Sequence, residues 1–148
     1  MPSSFVFRFE KVLDWYKKRE EEEEKKLARL KMNYMEEEGR LRIIEQEKEL
    51  GEIKLLENIE DINLGIIIRF YIERKKEDIK IQNDKLRVLS EEIAKQRDIL
   101  MFWEKKKKSM EKLKERDFFL YELKGRRLEN IILDENGIVR YLKRDEIS

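Results

Sequence analysis

Cysteine and histidine are both absent from this 148-residue sequence. Without cysteine there is no disulfide framework and no thiol chemistry. Without histidine the commonest acid–base group and metal ligand is missing. Proline occurs once, at Pro2, and glycine at only five positions, so nothing beyond the second residue forces a helix to break. Long apolar runs are missing too. A stretch such as Ile66-Ile67-Ile68 stops far short of the ~20 residues that span a bilayer. The opening Met1-Pro2-Ser3-Ser4-Phe5-Val6-Phe7-Arg8 has no apolar core of the kind a signal peptide carries. These absences lead us to expect a cytoplasmic chain.

Net charge is also small, at +1. The halves differ in sign: residues 1–64 carry 17 acidic and 13 basic side chains, a net of −4, and residues 65–148 carry 17 and 22, a net of +5. That asymmetry suits two halves that attract each other. It is too weak for a nucleic-acid partner, which calls for a strongly basic face.

What is present is charge and helix formers. Charged residues make up 47% of the chain and apolar residues 40%, with Glu, Lys, Arg, Leu and Ile dominant. That composition is typical of coiled coils and long helices. Steps of four and three residues from Phe9 visit Phe9, Leu13, Tyr16, Glu20, Glu23, Leu27, Leu30, Tyr34, Glu37, Leu41, Ile44, Lys48, Gly51, Leu55, Asn58 and Ile62. Ten of these sixteen are apolar, enough for a seam with polar interruptions. A second series runs through Ile68, Ile72, Lys75, Ile79, Gln82, Leu86, Leu89, Ile93, Gln96, Leu100, Trp103, Lys107 and Met110. Beyond Met110 the apolar spacing slips to Leu113, Leu120 and Leu123, a change of phase that alters a supercoil.

The fold expected is therefore all-α: an antiparallel two-helix coiled-coil hairpin forming a single domain over 1–148. Arm one covers about 4–62, with Ser3 or Ser4 as N-cap. The turn falls at about 63–65, where Gly65 can adopt the left-handed conformation that closes a helix. Arm two covers about 66–130, and 131–148 is a frayed or irregular tail around the turn signal Asn136-Gly137. Facing residue numbers should then sum to about 127. Leu27 would face Leu100, and the run Glu20–Glu24 would lie opposite Lys105–Lys108. The alternative is that both charge runs are solvated helix faces. Gly39 and Gly51 lie inside arm one, either as soft points or as tolerated glycines, at about 1 kcal/mol each.

The segment Phe7-Arg8-Phe9-Glu10-Lys11-Val12-Leu13, followed by a charged helix, resembles the start of the FliJ family of flagellar type III export proteins. Lys112-Leu113-Lys114-Glu115-Arg116 is similar to that family's Lys-Leu-Lys-Glu-Arg segment late in its second helix, and Leu133-Asp134-Glu135 to an Asp-Glu pair near its C-terminus. Asn136-Gly137 and the aromatic-rich Phe118-Phe119-Leu120-Tyr121 depart from the family pattern. The resemblance implies a hairpin shaped like the central stalk of rotary ATPases, located in the cytoplasm and peripheral to the inner membrane at the flagellar base. The resemblance implies a component that couples the flagellar export ATPase to the cytoplasmic domain of the large export-gate protein and assists export escort chaperones. The alternative is a generic structural coiled-coil spacer or a hairpin chaperone.

Enzyme activity is not expected. The carboxylates sit on helix surfaces where nothing forces two into a shared pocket that would tune their pKa values, and no phosphate-binding glycine loop is present. No cofactor and no metal site are expected either. Three stretches are binding candidates. At the free end, Phe5, Phe7, Phe9 and Leu13 approach Leu113 and Phe118–Tyr121, as either a contact surface or a mini-core. By resemblance this end enters the ATPase ring, through Phe7, Phe9, Leu113, Lys114, Glu115 and Arg116. Beside the turn, Ile66–Ile72 holds too many apolar residues for one helical stripe. By resemblance this side meets the export gate, through Phe70 and Tyr71 with Leu41 across the seam. The third stretch is basic, Lys105–Lys108 with Lys112, Lys114 and Arg116, of which the last three are the freer set.

Overall fold

The computed structural model describes the backbone of residues 4–147 and the side chains of residues 4–144. Two long α-helices pack against each other in antiparallel fashion: α1, Glu10–Glu57, and α2, Ile62–Ile147. Among the described residues there is no strand. The fold is the all-α helical hairpin expected. Contacts divide the chain into two compact units: residues up to Arg19 with those from Trp103 onward, and Glu20–Phe102.

The turn lies earlier than expected, at 58–61. The Asn58 N–H and its side-chain amide both donate to the Lys54 carbonyl, at 3.1 and 2.9 Å, which satisfies an acceptor left open at the end of α1. The Asp61 N–H then reaches back to the Asn58 carbonyl at 3.1 Å. Asp61 is the N-cap of α2: its Oδ1 accepts the Leu64 N–H at 3.1 Å, and its carbonyl accepts the Gly65 N–H at 2.8 Å. Asn63-Leu64-Gly65 is thus the first turn of a helix. Gly65 has no left-handed backbone to supply, since none of the described glycines has positive φ. An aspartate that caps two residues ahead outcompetes a glycine that would only have allowed a reversal.

Moving the turn moves the register. In the Glu20–Phe102 unit, Glu23 bonds Gln96 and Glu37 bonds Gln82, pairs whose numbers sum to 119, while Glu47 pairs with Lys75 and Gly51 packs on Tyr71 and Ile72, with sums of 122–123, all below 127. Position 27 is therefore level with about 92–96 and does not face Leu100. The seam phase survives, because it is set by the spacing of apolar residues within each helix and not by the pairing of one helix with the other. From Leu13 to Asn58 every position of the first series is buried or half-buried, as is every position of the second from Ile68 to Met110.

Polar seam layers explain why this register wins. Gln96 Nε2 donates to the Glu23 carbonyl at 3.1 Å and also to its carboxylate, while Lys26 holds the other carboxylate oxygen at 3.4 Å. Gln82 Nε2 does the same at Glu37, with the carbonyl at 2.8 Å, and Arg40 reaches Glu37 Oε1 at 3.0 Å. Each layer thus combines a glutamate, a cation three residues on and an amide from the other helix. A one-heptad slip would set Gln82 against Ile44 and Gln96 against Leu30, leaving buried amide and carboxylate groups without partners. Each such group costs about 1–3 kcal/mol.

Gly51 has a role in this packing that Gly39 does not share. A Cβ at Gly51 would lie 3.1 Å from Tyr71 Cδ1 and 3.2 Å from Ile72 Cγ1, whereas one at Gly39 would meet open space. The absent side chain lets α2 come close.

The ends also differ from expectation. Ser3 lies outside the described residues, and Ser4 is not helical; α1 begins at Glu10, not near residue 4. The chain before it folds back so that Phe7 is 4% exposed. Burying that ring contributes about 1.5–3 kcal/mol, more than another helical turn would. At the other end α2 runs straight through Asn136-Gly137, and the stretch from 131 to 147 is helix, not an irregular tail. Propagating an existing helix is far easier than starting one, so one glycine does not stop it. The phase slip after Met110 is partial: Lys114, Asp117 and Tyr121 continue the heptad as half-buried positions, with Leu113 and Leu123 beside them, while Leu120 is exposed.

Candidate partner-binding surfaces

In the unit that joins both chain ends, the N-terminal segment is held against α2 by aromatic contacts. Phe5 meets Phe118 edge-on with ring centroids 5.2 Å apart and lies 5.5 Å from Tyr121, and Phe7 meets Phe9 at 6.0 Å. Beneath them Leu13 is only 1% exposed. Lys114 Nζ bridges to Glu10 Oε2 at 2.9 Å. Phe5, Leu13, Lys17, Lys114, Glu115 and Phe118 help line an open depression of about 510 Å³. Further along, Trp15 stacks edge-on against Trp103 at 5.4 Å, and the Arg19 guanidinium covers the same Trp103 ring at 5.3 Å.

The six residues expected to meet an ATPase ring therefore separate by role. Phe7 is core, and Lys114 is tied to Glu10. Leu113 is half-buried, while Phe9, Glu115 and Arg116 are open to solvent. Phe118 and Phe119 are exposed too, and they add apolar surface next to these charges.

The Glu20–Phe102 unit carries a second surface around the turn. Phe70 is 73% exposed, and Tyr71 is 41% exposed with one edge against Gly51 and Lys75 Nζ 5.2 Å above its ring. Lys75 also pairs with Glu47. That hydrogen bond, reinforced by the charges of Glu47, Tyr71 and Asp78, raises the Lys75 pKa above its ordinary value against the opposing effect of burial. Ile66 and Ile67 are exposed alongside. Leu41 is half-buried and level with about residues 78–82, so it stands roughly 12–18 Å along the axis from Phe70. The structure does not bring Leu41 and Phe70 into one patch.

Sequence reasoning missed the exposed apolar residues that lead into the turn. Leu50, Ile53, Leu56 and Ile59 are all exposed, and Ile62 follows at the start of α2. The signal was available: Leu50, Ile53, Leu56 and Ile59 are apolar but fall outside the seam series.

Among the described residues no helix is long and apolar enough to cross a membrane. Compared with protein-family models, with curated proteins and with solved structures, the chain finds no match in any of the three.

Proposed function

We propose that this chain is a non-enzymatic adaptor of a flagellar type III export apparatus, linking an export ATPase ring to the cytoplasmic domain of the export gate and assisting escort chaperones. One observation carries the reading. The two segments that resemble the FliJ family, Phe7–Leu13 and Lys112–Arg116, are far apart in sequence yet lie side by side, joined by the Glu10–Lys114 bridge. The antiparallel hairpin sets these positions opposite each other, so both segments can contribute to one surface. The paired segments leave Phe9, Glu115 and Arg116 open for a ring, and the turn region leaves Phe70 and its aliphatic neighbours open for a second partner.

The test is binding of the purified chain to a purified export ATPase and, separately, to the soluble gate domain. Arg116→Glu should reduce stimulation of the ATPase and leave gate binding intact. Phe70→Ala should weaken gate binding by about tenfold or more, as loss of an exposed aromatic anchor does, with helicity unchanged. A wild-type chain that binds neither protein would end the export reading.

A further inference from the structure

Past Tyr121 the heptad of α2 keeps its phase through Lys124, Leu128, Ile131, Glu135, Ile138 and Leu142. α1 has no residues to set against them. Its first residue, Glu10, is level with Lys114, and among the described residues before it Phe5 meets Phe118 and Tyr121. Every residue from 124 to 144 is exposed. Ile132 and Val139 widen the apolar stripe. Among the described residues this is a seam without a second helix.

Charge along the stripe says what covers it. Lys124 and Glu135 sit in its centre, with Arg127 and Asp134 at its edge. None of these four has an ion pair or side-chain hydrogen bond among the described residues. A carboxylate in the middle of the apolar face disfavours a lipid surface. A parallel copy would set Glu135 against Glu135 and Lys124 against Lys124. An antiparallel copy does the opposite. With the two-fold axis between residues 129 and 130, Leu128 faces Ile131 of the second copy, Lys124 faces Glu135, and Ile138 reaches the edge of Tyr121. Arg127 then flanks Asp134. Each pairing occurs twice, as an isologous interface requires. A polar layer inside an apolar seam is also seen at Glu23–Gln96 and Glu37–Gln82, where a neutral amide faces the carboxylate.

We propose that residues 121–142 of α2 form an antiparallel two-helix contact with a second copy of this chain. The proposal does not depend on the export reading.

Sedimentation of the full chain over a concentration series tests it, with charge variants to set the register. Lys124→Glu and Glu135→Lys should each weaken self-association by about tenfold or more, since each leaves like charges facing inside the seam. Mixed together, the two variants should associate again, because each charge layer of the mixed pair then holds one carboxylate and one ammonium. The chain has no cysteine, so introduced thiols report geometry directly. Leu128→Cys mixed with Ile131→Cys should give a disulfide dimer in higher yield than Leu128→Cys alone. A wild-type chain still monomeric at about 1 mM would overturn the proposal. So would failure of the charge variants to complement, or a preference for the Leu128–Leu128 crosslink. Binding of the monomer to anionic vesicles in place of dimerisation would assign the stripe to a membrane and also overturn it.

Discussion

The stretch of α2 from Ile68 to Met110 and the stretch from Lys124 to Leu142 follow one heptad in one phase, yet every seam position is covered in the first and exposed in the second. The difference is not apolar content, since four of the six seam positions in the second stretch are Leu or Ile. It lies in what stands opposite. Hydrophobic phase is a property of one helix, whereas burial and register belong to a pair. The polar seam residues show this most clearly. Gln82 and Gln96 each answer a glutamate of α1, while Glu135 has nothing to answer it among the described residues.

Breaking the covered stretch of the hairpin should cost far more than breaking the open one. Leu13→Ala should destabilise the chain by about 2–5 kcal/mol, as truncation of a fully buried leucine does. Leu128→Ala, at a site 55% exposed, should change thermal stability of the monomer by less than about 0.5 kcal/mol. Thermal or urea unfolding monitored by circular dichroism separates the two outcomes. The next effect belongs to the polar layers. Gln96→Leu leaves the Glu23 carbonyl and carboxylate without their amide donor and should cost about 1–3 kcal/mol. The double variant Glu23→Leu/Gln96→Leu should recover that loss, since a well-packed apolar pair often matches a buried polar one. Its register should be less well defined, which cysteine crosslinking across the seam would read.

Glycines sharpen the comparison at smaller energies. Gly51→Ala gains helix propensity but forces a methyl to within 3.1 Å of Tyr71 and should lower stability by about 1 kcal/mol net. Gly137→Ala meets nothing within 4 Å and should raise helicity, with a gain of about 0.5–1 kcal/mol. The smallest effect is electrostatic. Because the pairing with Glu47 raises the Lys75 pKa, the stabilisation it brings is fully present below the ordinary lysine value of 10.5 and is lost as pH rises through the higher folded value. Stability should fall in that alkaline window in the wild type and fall less in Glu47→Gln. The pair is partly exposed, so the slope should be shallow.

The seam was legible in the sequence almost residue by residue, because a period of three and four is written in one helix at a time. The register was not, because a heptad looks the same after a slip of seven. What breaks that degeneracy is turn chemistry at Asn58 and Asp61 together with the Glu–Gln layers. Both were present in the sequence, but they are recognisable as partners only once the turn is placed. Tail conformation was misread for a related reason: Asn136-Gly137 is a turn signal only where no long helix is already propagating. In the candidate surfaces, exposure of Phe70 followed from crowding of apolar residues beside the turn. Burial of Phe7 did not, since it needs the chain before Glu10 to fold back. Lys114 could not be told from its neighbours Lys112 and Arg116 until Glu10 was seen opposite it.

The two Glu–Gln layers also act as a ruler. Glu23 and Glu37 are fourteen residues apart, as are Gln82 and Gln96. If one helix of the Glu20–Phe102 unit were pulled lengthwise past the other, a displacement of about 10 Å would return every apolar ridge to a groove but strand both amides. Only after about 21 Å would one amide find a glutamate again. Motion along this seam is therefore notched: long stretches of resistance separate a few widely spaced resting places. A load applied along the axis would meet a stiff element up to a threshold force, and beyond that threshold the helices would slip by tens of ångströms at once.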